Sequence, residues 1–83
     1  MKIGLQVPNF TWPGGPQAIH GTLAEIARTA DEAGFSSLWV MDHFFQIGRP
    51  KNPGGLGPAE DEMLESYSTL SYMAGFTQKI TLG

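Results

Sequence analysis

The 83-residue sequence has no cysteine, few positive charges and no long hydrophobic run. The absence of cysteine excludes a disulfide-stabilised small domain and a thiolate metal site. Five basic residues against eight acidic ones give a formal net charge of -3, so the basic footprint typical of nucleic-acid binding is absent. No apolar stretch approaches the ~20 residues of a membrane span, and no hydrophobic signal segment follows Lys2. We therefore expect a cytoplasmic protein that binds neither nucleic acid nor a membrane.

Strand and helix patterns alternate along the chain. Period-two alternation predicts a strand over residues 3–8, and a continuous apolar run predicts a second strand, buried on both faces, over 37–41. A third short strand is expected over 79–83. Helical patterns over 22–33 and roughly 63–75 separate the strands. The first helix is predicted to have one apolar stripe, with charged residues such as Asp31 mostly off it; the stripe consists of Leu23, Ile26, Ala27, Ala30 and Ala33. This β-α-β-α-β order is typical of a parallel sheet covered by helices.

Caps and core residues can be assigned within these elements. The first helix is predicted to begin at a capping box formed by Thr22 and Glu25 and to end at Gly34 in a left-handed conformation. In the second strand, Trp39 and Met41 are expected to pack in the core. The second helix is predicted to pack through the face made of Met63, Tyr67, Leu70 and Ala74. The acidic residues near its start are interpreted as partners of the helix dipole: Glu60, Asp61, Glu62 and Glu65.

Two folds contain this order of elements, a doubly wound open sheet and a (β/α)₈ barrel. A dinucleotide-binding sheet would carry a G-x-G-x-x-G motif after the first strand, and residues 9–16 lack it. A G-x-x-x-x-G-K-[ST] phosphate loop is also absent from the sequence. The sequence therefore favours the barrel, whose functional groups lie at the carboxyl ends of the strands and in the loops that follow.

Asp42 and His43 end the predicted second strand and are the most informative local feature. Asn9 and Phe10 follow the first strand, so all four positions are predicted to meet at one face of the barrel. A histidine that titrates near neutral pH can exchange a proton during catalysis. The alternatives are a structural histidine and an aspartate that caps the following loop.

The loop from Phe44 to Glu62 has no period and is rich in glycine and proline, which is typical of binding loops, lids or disorder. Phe44 and Phe45 open this loop and are candidates for a wall on which a ring could stack. Arg49 and Lys51 are its only bases, and a solvated loop is favoured over contact with an anionic ligand. No spacing of His, Asp and Glu indicates a metal site.

Three segments resemble the luciferase-like monooxygenase superfamily. The run GFSSLWVMDHF, residues 34–44, is similar to the second-strand signature of that superfamily. Residues 3–10 resemble its first strand, and residues 67–83 resemble its second helix and third strand. The resemblance covers nearly the whole chain and suggests the branch that uses the deazaflavin coenzyme F420, with FMN as the alternative cofactor.

The resemblance implies a TIM barrel with a flavin-type ring in its mouth. Carried over by position, Asp42 and His43 would lie beside the deazaflavin and substrate as catalytic and cofactor-binding residues. Their neighbours at the same face, Asn9 and Phe44, are further candidates for cofactor binding. The implied reaction is hydride transfer between F420 and a small organic substrate, whereas FMN-dependent relatives activate oxygen.

The length is small for a barrel, which typically needs ~250 residues. The sequence supplies about three strands and two helices. We expect residues 1–83 to be the N-terminal part of a single luciferase-like barrel domain that is inactive alone. It would need the remainder of the barrel and would form a homodimer when complete. The competing interpretation is a non-catalytic half-barrel that binds a partner chain through its unpaired strand edges.

Overall fold

The computed structural model describes residues 1–48 and 57–83. The elements within these ranges are β1 (Gly4–Val7), a 3₁₀ turn (Pro16–Ala18), α1 (Ile19–Ala33), β2 (Ser37–Val40), α2 (Ser66–Ala74) and β3 (Thr81–Leu82). The strands form one parallel sheet in the order β1-β2-β3. The predicted α/β class and the β-α-β-α-β order are therefore confirmed. In this part of the chain, neither helix is long and apolar enough to cross a membrane.

The sheet has one covered face and one open face. Leu38 in β2 pairs in register with Leu5 of β1 and Leu82 of β3, and it is fully buried. Because side chains alternate along a strand, Gln6 and Trp39 project from the opposite face. Both of these side chains are exposed. The second strand is thus buried on one face only, whereas its apolar run predicted burial on both.

Trp39 lies on the open face with 49% of its surface exposed. Its indole N–H donates to the Ser37 hydroxyl at 2.8 Å. A Cβ atom at Gly4 would come within 3.2 Å of the indole nitrogen, and one at Gly83 within 2.6 Å of the ring, so both glycines leave room for it. The prediction that Trp39 packs in the core is wrong here, because both helices cover the other face. Met41, also expected in the core, is only partly buried.

One apolar core lies between the covered face of the sheet and the two helices. Its buried members are Val7, Phe10, Leu23, Ala27, Ala30, Leu38, Met73 and Ile80. The stripe predicted for α1 is confirmed at Leu23, Ala27 and Ala30, while Ala33 at its end is exposed.

The face predicted for the second helix is only partly right, because Met63, which precedes α2, and Leu70 are partly buried and pack against the core. The buried residues of α2 are Thr69 and Met73, whereas Tyr67 and Ala74 are exposed. A threonine can occupy this buried position because its hydroxyl donates to the Glu65 carbonyl at 2.7 Å, which satisfies the polar group within the helix. The longer Met73 side chain then reaches the core.

The first helix begins at Ile19, before the predicted capping box. Pro16–Ala18 form a 3₁₀ turn that leads directly into the helix, and the cap position makes no side-chain hydrogen bond. Proline favours such a start because its φ angle is already close to the helical value. Thr22 and Glu25 consequently lie inside α1, and the capping-box prediction is wrong. The predicted end is confirmed, since Gly34 adopts φ 88° and ψ 17°.

Asp31 of α1 holds the segment that leads into β3. Its carboxylate accepts hydrogen bonds from the backbone N–H groups of Gln78 at 3.0 Å and of Lys79 and Ile80, each at 2.8 Å. The bonds from Lys79 and then Ile80 are the main reasons that the pKa of Asp31 is lowered. The helical pattern had only placed Asp31 away from the apolar stripe.

We predict that Asp31→Asn destabilises the full-length protein at pH 7 and that this destabilisation shrinks between about pH 5 and pH 2. The folded pKa lies below the unfolded value of about 3.9, so the carboxylate stabilises the fold above that value. Its contribution is lost as the pH falls through the lowered folded pKa. Thermal unfolding followed by circular dichroism measures the effect.

The exposed neighbour Glu32 provides the matched control, Glu32→Gln, which should show a smaller effect at neutral pH. A destabilisation by Asp31→Asn that stays constant across the acid range would contradict the assignment.

Candidate functional site

The carboxyl ends of β1 and β2 lie side by side, because Val7 pairs with Val40 in parallel register. Asn9 follows β1, and Asp42 and His43 follow β2, so the structure brings these segments to the same edge of the sheet. In (β/α)₈ barrels this is the edge that bears the functional groups.

Phe10 does not join these residues at the edge. Its side chain is 1% exposed and belongs to the core, where its ring meets Trp12 edge-on at a centroid distance of 6.2 Å. Burying a large aromatic ring stabilises a fold by about 1.5–3 kcal/mol, which explains why the loop after β1 turns this side chain inward. Asn9, one residue earlier, is partly buried.

Asp42 is exposed and contacts the start of α2. Its Oδ1 atom accepts a hydrogen bond from the backbone N–H of Ser66 at 3.4 Å. Ser66 is the first residue of α2, so the carboxylate lies at the positive end of the helix dipole. Asp42 therefore makes a capping contact, although with α2 and not with the loop that directly follows it.

Glu65 caps the same helix. Its carboxylate accepts from the backbone N–H groups of Tyr67 at 2.7 Å and Ser68 at 3.0 Å, and its carbonyl accepts from Thr69 at 3.1 Å. The Ser68 hydroxyl, followed by the Tyr67 N–H, lowers the pKa of Glu65. With the contact from Asp42, each of the first four N–H groups of α2 has an acceptor. The interpretation of Glu65 as a partner of the helix N-terminus is confirmed.

His43 is exposed at the same edge, and the two residues that follow it in the chain are exposed phenylalanines. Phe44 is 96% exposed and Phe45 is 70% exposed. An ionisable ring beside exposed aromatic faces can contact a planar aromatic ligand. The two bases predicted nearby, Arg49 and Lys51, lie outside the described residues.

Gln46 joins the loop after β2 to the end of β1, a role that the sequence patterns do not predict. Its side chain is 3% exposed; Nε2 donates to the Pro8 carbonyl at 3.2 Å, and Oε1 accepts from the Ile47 N–H at 2.9 Å. The Gln46 backbone N–H donates to the Ala59 carbonyl at 3.3 Å. The only signal in the sequence is a polar residue between apolar ones in the stretch FFQI.

Further contacts hold the same loops together. The Thr11 hydroxyl donates to the Glu62 carboxylate at 3.2 Å, which connects the loop after β1 with the segment before α2. The Gly57 N–H donates to the Ile47 carbonyl at 3.4 Å. A Cβ atom at Gly57 would collide with the Asp61 carboxylate, so this buried position accepts only glycine without a shift.

Two clefts lie near this edge. One of about 420 Å³ opens between α1 and α2 and is mainly apolar, with Ile19, Leu23 and Leu64 in its lining. Another of about 360 Å³ runs along β1, with Asn9 and Trp12 in its lining. Asp42 and His43 line neither cleft, so the predicted catalytic pair stands on the open edge of the sheet.

A comparison with protein families matches residues 1–83 to the family described as Luciferase-like monooxygenase. Because the match extends over the whole chain, this protein belongs to the luciferase-like monooxygenase family, and the family expected from the sequence is confirmed. Members of this family are oxidoreductases or monooxygenases. Searches of curated proteins and of solved structures found no match.

We predict that Asp42→Ala raises the hydrogen-exchange rate of the Ser66 amide by up to about tenfold, because the variant loses the acceptor of a long, weak hydrogen bond. Asp42→Asn is the matched control, since it keeps an oxygen acceptor at the same place and should stay close to the wild type. Exchange measured by NMR in the full-length protein tests this. An unchanged Ser66 rate in Asp42→Ala would show that the contact contributes nothing to the helix.

Proposed function

We propose that the complete protein is an F420-dependent oxidoreductase that transfers hydride between the deazaflavin and a small organic substrate. Residues 1–83 form the N-terminal part of its (β/α)₈ barrel. Membership of the luciferase-like family supports oxidoreductase chemistry. The strand ending that carries Asp42 and His43 supports the F420 branch, through its resemblance to members of that branch.

The observation that carries the barrel proposal is the open face of the sheet. All-parallel sheets occur almost only with both faces covered, yet Gln6 and Trp39 project from an uncovered face. Both helices contribute to one core on the other face, and the strands follow one another in sequential order. This arrangement fits a barrel in which the open face is the interior. Further strands of the same domain would cover it and pair with the outer edges of β1 and β3.

In such a barrel, the edge that bears Asn9, Asp42 and His43 is the mouth. The exposed rings and polar groups at this edge fit a planar, heteroatom-rich cofactor, to which Phe44 offers a stacking face and Asn9 an amide. The bound deazaflavin would supply the hydride chemistry. His43 holds or releases a proton at an imidazole nitrogen, and Asp42 accepts a hydrogen bond from the bound ring or substrate.

The second candidate is an FMN-dependent monooxygenase, because the family description names monooxygenase chemistry and no cofactor. The two candidates use the same barrel mouth and the same residues, so they differ in the cofactor that binds there.

We expect the full-length protein to bind F420 more tightly than FMN when each is titrated and binding is followed by cofactor fluorescence. Tighter binding of FMN would replace the F420 assignment by the second candidate. Binding of neither cofactor would contradict both and would favour the non-catalytic half-barrel. In that case, the mass of the folded particle would reveal the accompanying polypeptide.

We also predict that His43→Ala in the full-length protein slows hydride transfer at least ~100-fold, the usual contribution of a general acid–base group. Single-turnover absorbance of the deazaflavin measures the rate. The control is His20→Ala, because His20 is exposed on α1 and its contact with Tyr72, whose hydroxyl donates to the His20 carbonyl at 2.8 Å, does not involve the side chain. Unchanged turnover in His43→Ala would remove this residue from the mechanism.

A further inference from the structure

We infer that Gln46 is a positioning residue that fixes His43 relative to the end of β1. It acts through the Gln46 bridge, defined as Gln46 with its hydrogen-bond partners Pro8, Ile47 and Ala59. This inference rests on the proposed function, since it names a residue that arranges the same site. Gln46 itself is buried and is not assigned a contact with cofactor or substrate.

The bridge uses both ends of the Gln46 amide. Nε2 donates to the Pro8 carbonyl at 3.2 Å, while Oε1 accepts from the Ile47 N–H at 2.9 Å. The side chain is 3% exposed, so water cannot readily replace these partners. Because donor and acceptor have different partners, the amide fits in one orientation only, which makes the bridge specific for glutamine.

The bridge also joins three segments at the candidate site. Pro8 ends the segment that leads from β1 into Asn9, and Ile47 belongs to the loop after β2. The Gln46 N–H donates to the Ala59 carbonyl at 3.3 Å, which connects the later part of the same loop, before α2, to the bridge. Both described arms of the loop after β2 are therefore connected to the end of β1 through the side chain and backbone of Gln46.

His43 lies between two fixed points. The chain leaves the sheet at Val40, whose N–H still donates to the Gly83 carbonyl at 3.0 Å, and after the long contact of Asp42 with Ser66 at 3.4 Å it is next held at Gln46. Residues 41–45 span the interval. The position of the imidazole therefore depends on the bridge, and a displacement of about 1 Å at a reacting group can lower a rate ~100-fold.

The decisive variant is Gln46→Glu, because its effect should depend on protonation. A protonated carboxyl group can donate to the Pro8 carbonyl and accept from the Ile47 N–H, which restores the bridge. An ionised carboxylate has no donor and faces the Pro8 carbonyl oxygen. Burial raises the pKa of such a group, and the Asp61 carboxylate, which lies against the neighbouring Gly57, raises it further.

We expect Gln46→Glu in the full-length protein to transfer hydride ~100-fold more slowly than the wild type at high pH. The hydride-transfer rate of Gln46→Glu, divided by the wild-type rate at the same pH, should rise at least tenfold as the pH is lowered. Gln46→Leu, which cannot form either hydrogen bond, should be slow at every pH. Gln17→Glu, at an exposed glutamine in the 3₁₀ turn, is the matched control and should follow the wild type.

A second measurement does not depend on activity. Hydrogen exchange of the Ile47 amide, taken as the ratio to the wild type at each pH, should rise in Gln46→Leu and in ionised Gln46→Glu. It should return toward the wild type when Gln46→Glu is protonated. If the wild type binds neither F420 nor FMN, the proposed function fails, and this exchange ratio alone still decides whether the bridge exists.

Three results would overturn the inference. One is an unchanged Ile47 exchange rate in Gln46→Leu. Another is hydride transfer in Gln46→Glu that stays low at every pH, because a general defect in folding would not be repaired by protonation. The third is a variant in which faster exchange of the Ile47 amide shows that the bridge is lost while the rate of hydride transfer is unchanged.

Discussion

The parallel pairing of β2 with both β1 and β3 is the constraint on which the rest of the structure depends. It buries Leu38 beside Leu5 and Leu82, which gives the helices an apolar surface to cover. Crossovers between parallel neighbours share one hand, so α1 and α2 lie on the same face. The same pairing brings Asn9 and His43 to one edge of the sheet. Their placement at this edge follows from the register of the strands.

The open face of the sheet is the other consequence of this pairing. Within residues 1–48 and 57–83, three strands and two helices enclose one core and leave Trp39 exposed between Gly4 and Gly83. Unpaired strand edges and an uncovered face of a parallel sheet can bind other strands or chains, and closure of a barrel removes both of these surfaces. The glycines beside Trp39 have a role in such a barrel, because an interior layer that holds an indole needs small neighbours. The proposed barrel would therefore account for both the covered core and the exposed Trp39.

Local patterns predicted the order of the strands and the end of α1 at Gly34, because these depend on neighbours in sequence. These patterns failed for residues whose burial or hydrogen bonding depends on a partner within the same helix or far away along the chain. Thr69 replaces a larger residue in the core because its hydroxyl bonds within α2. Asp31 and Gln46 bind backbone groups that are up to 49 and 38 residues away, and a backbone acceptor or donor leaves no mark in the sequence. At the candidate site, the edge that holds His43 was predictable, but the bridge that orders it was not.

The proposal that the open face is a barrel interior is tested most directly by a crystal structure of the full-length protein with bound F420. We expect further parallel strands along the outer edges of β1 and β3, with Trp39 enclosed. The deazaflavin ring should lie at the carboxyl ends of the strands, beside His43 and Asn9. A sheet whose Trp39 face remains exposed to solvent, or a ring bound away from these strand ends, would contradict it.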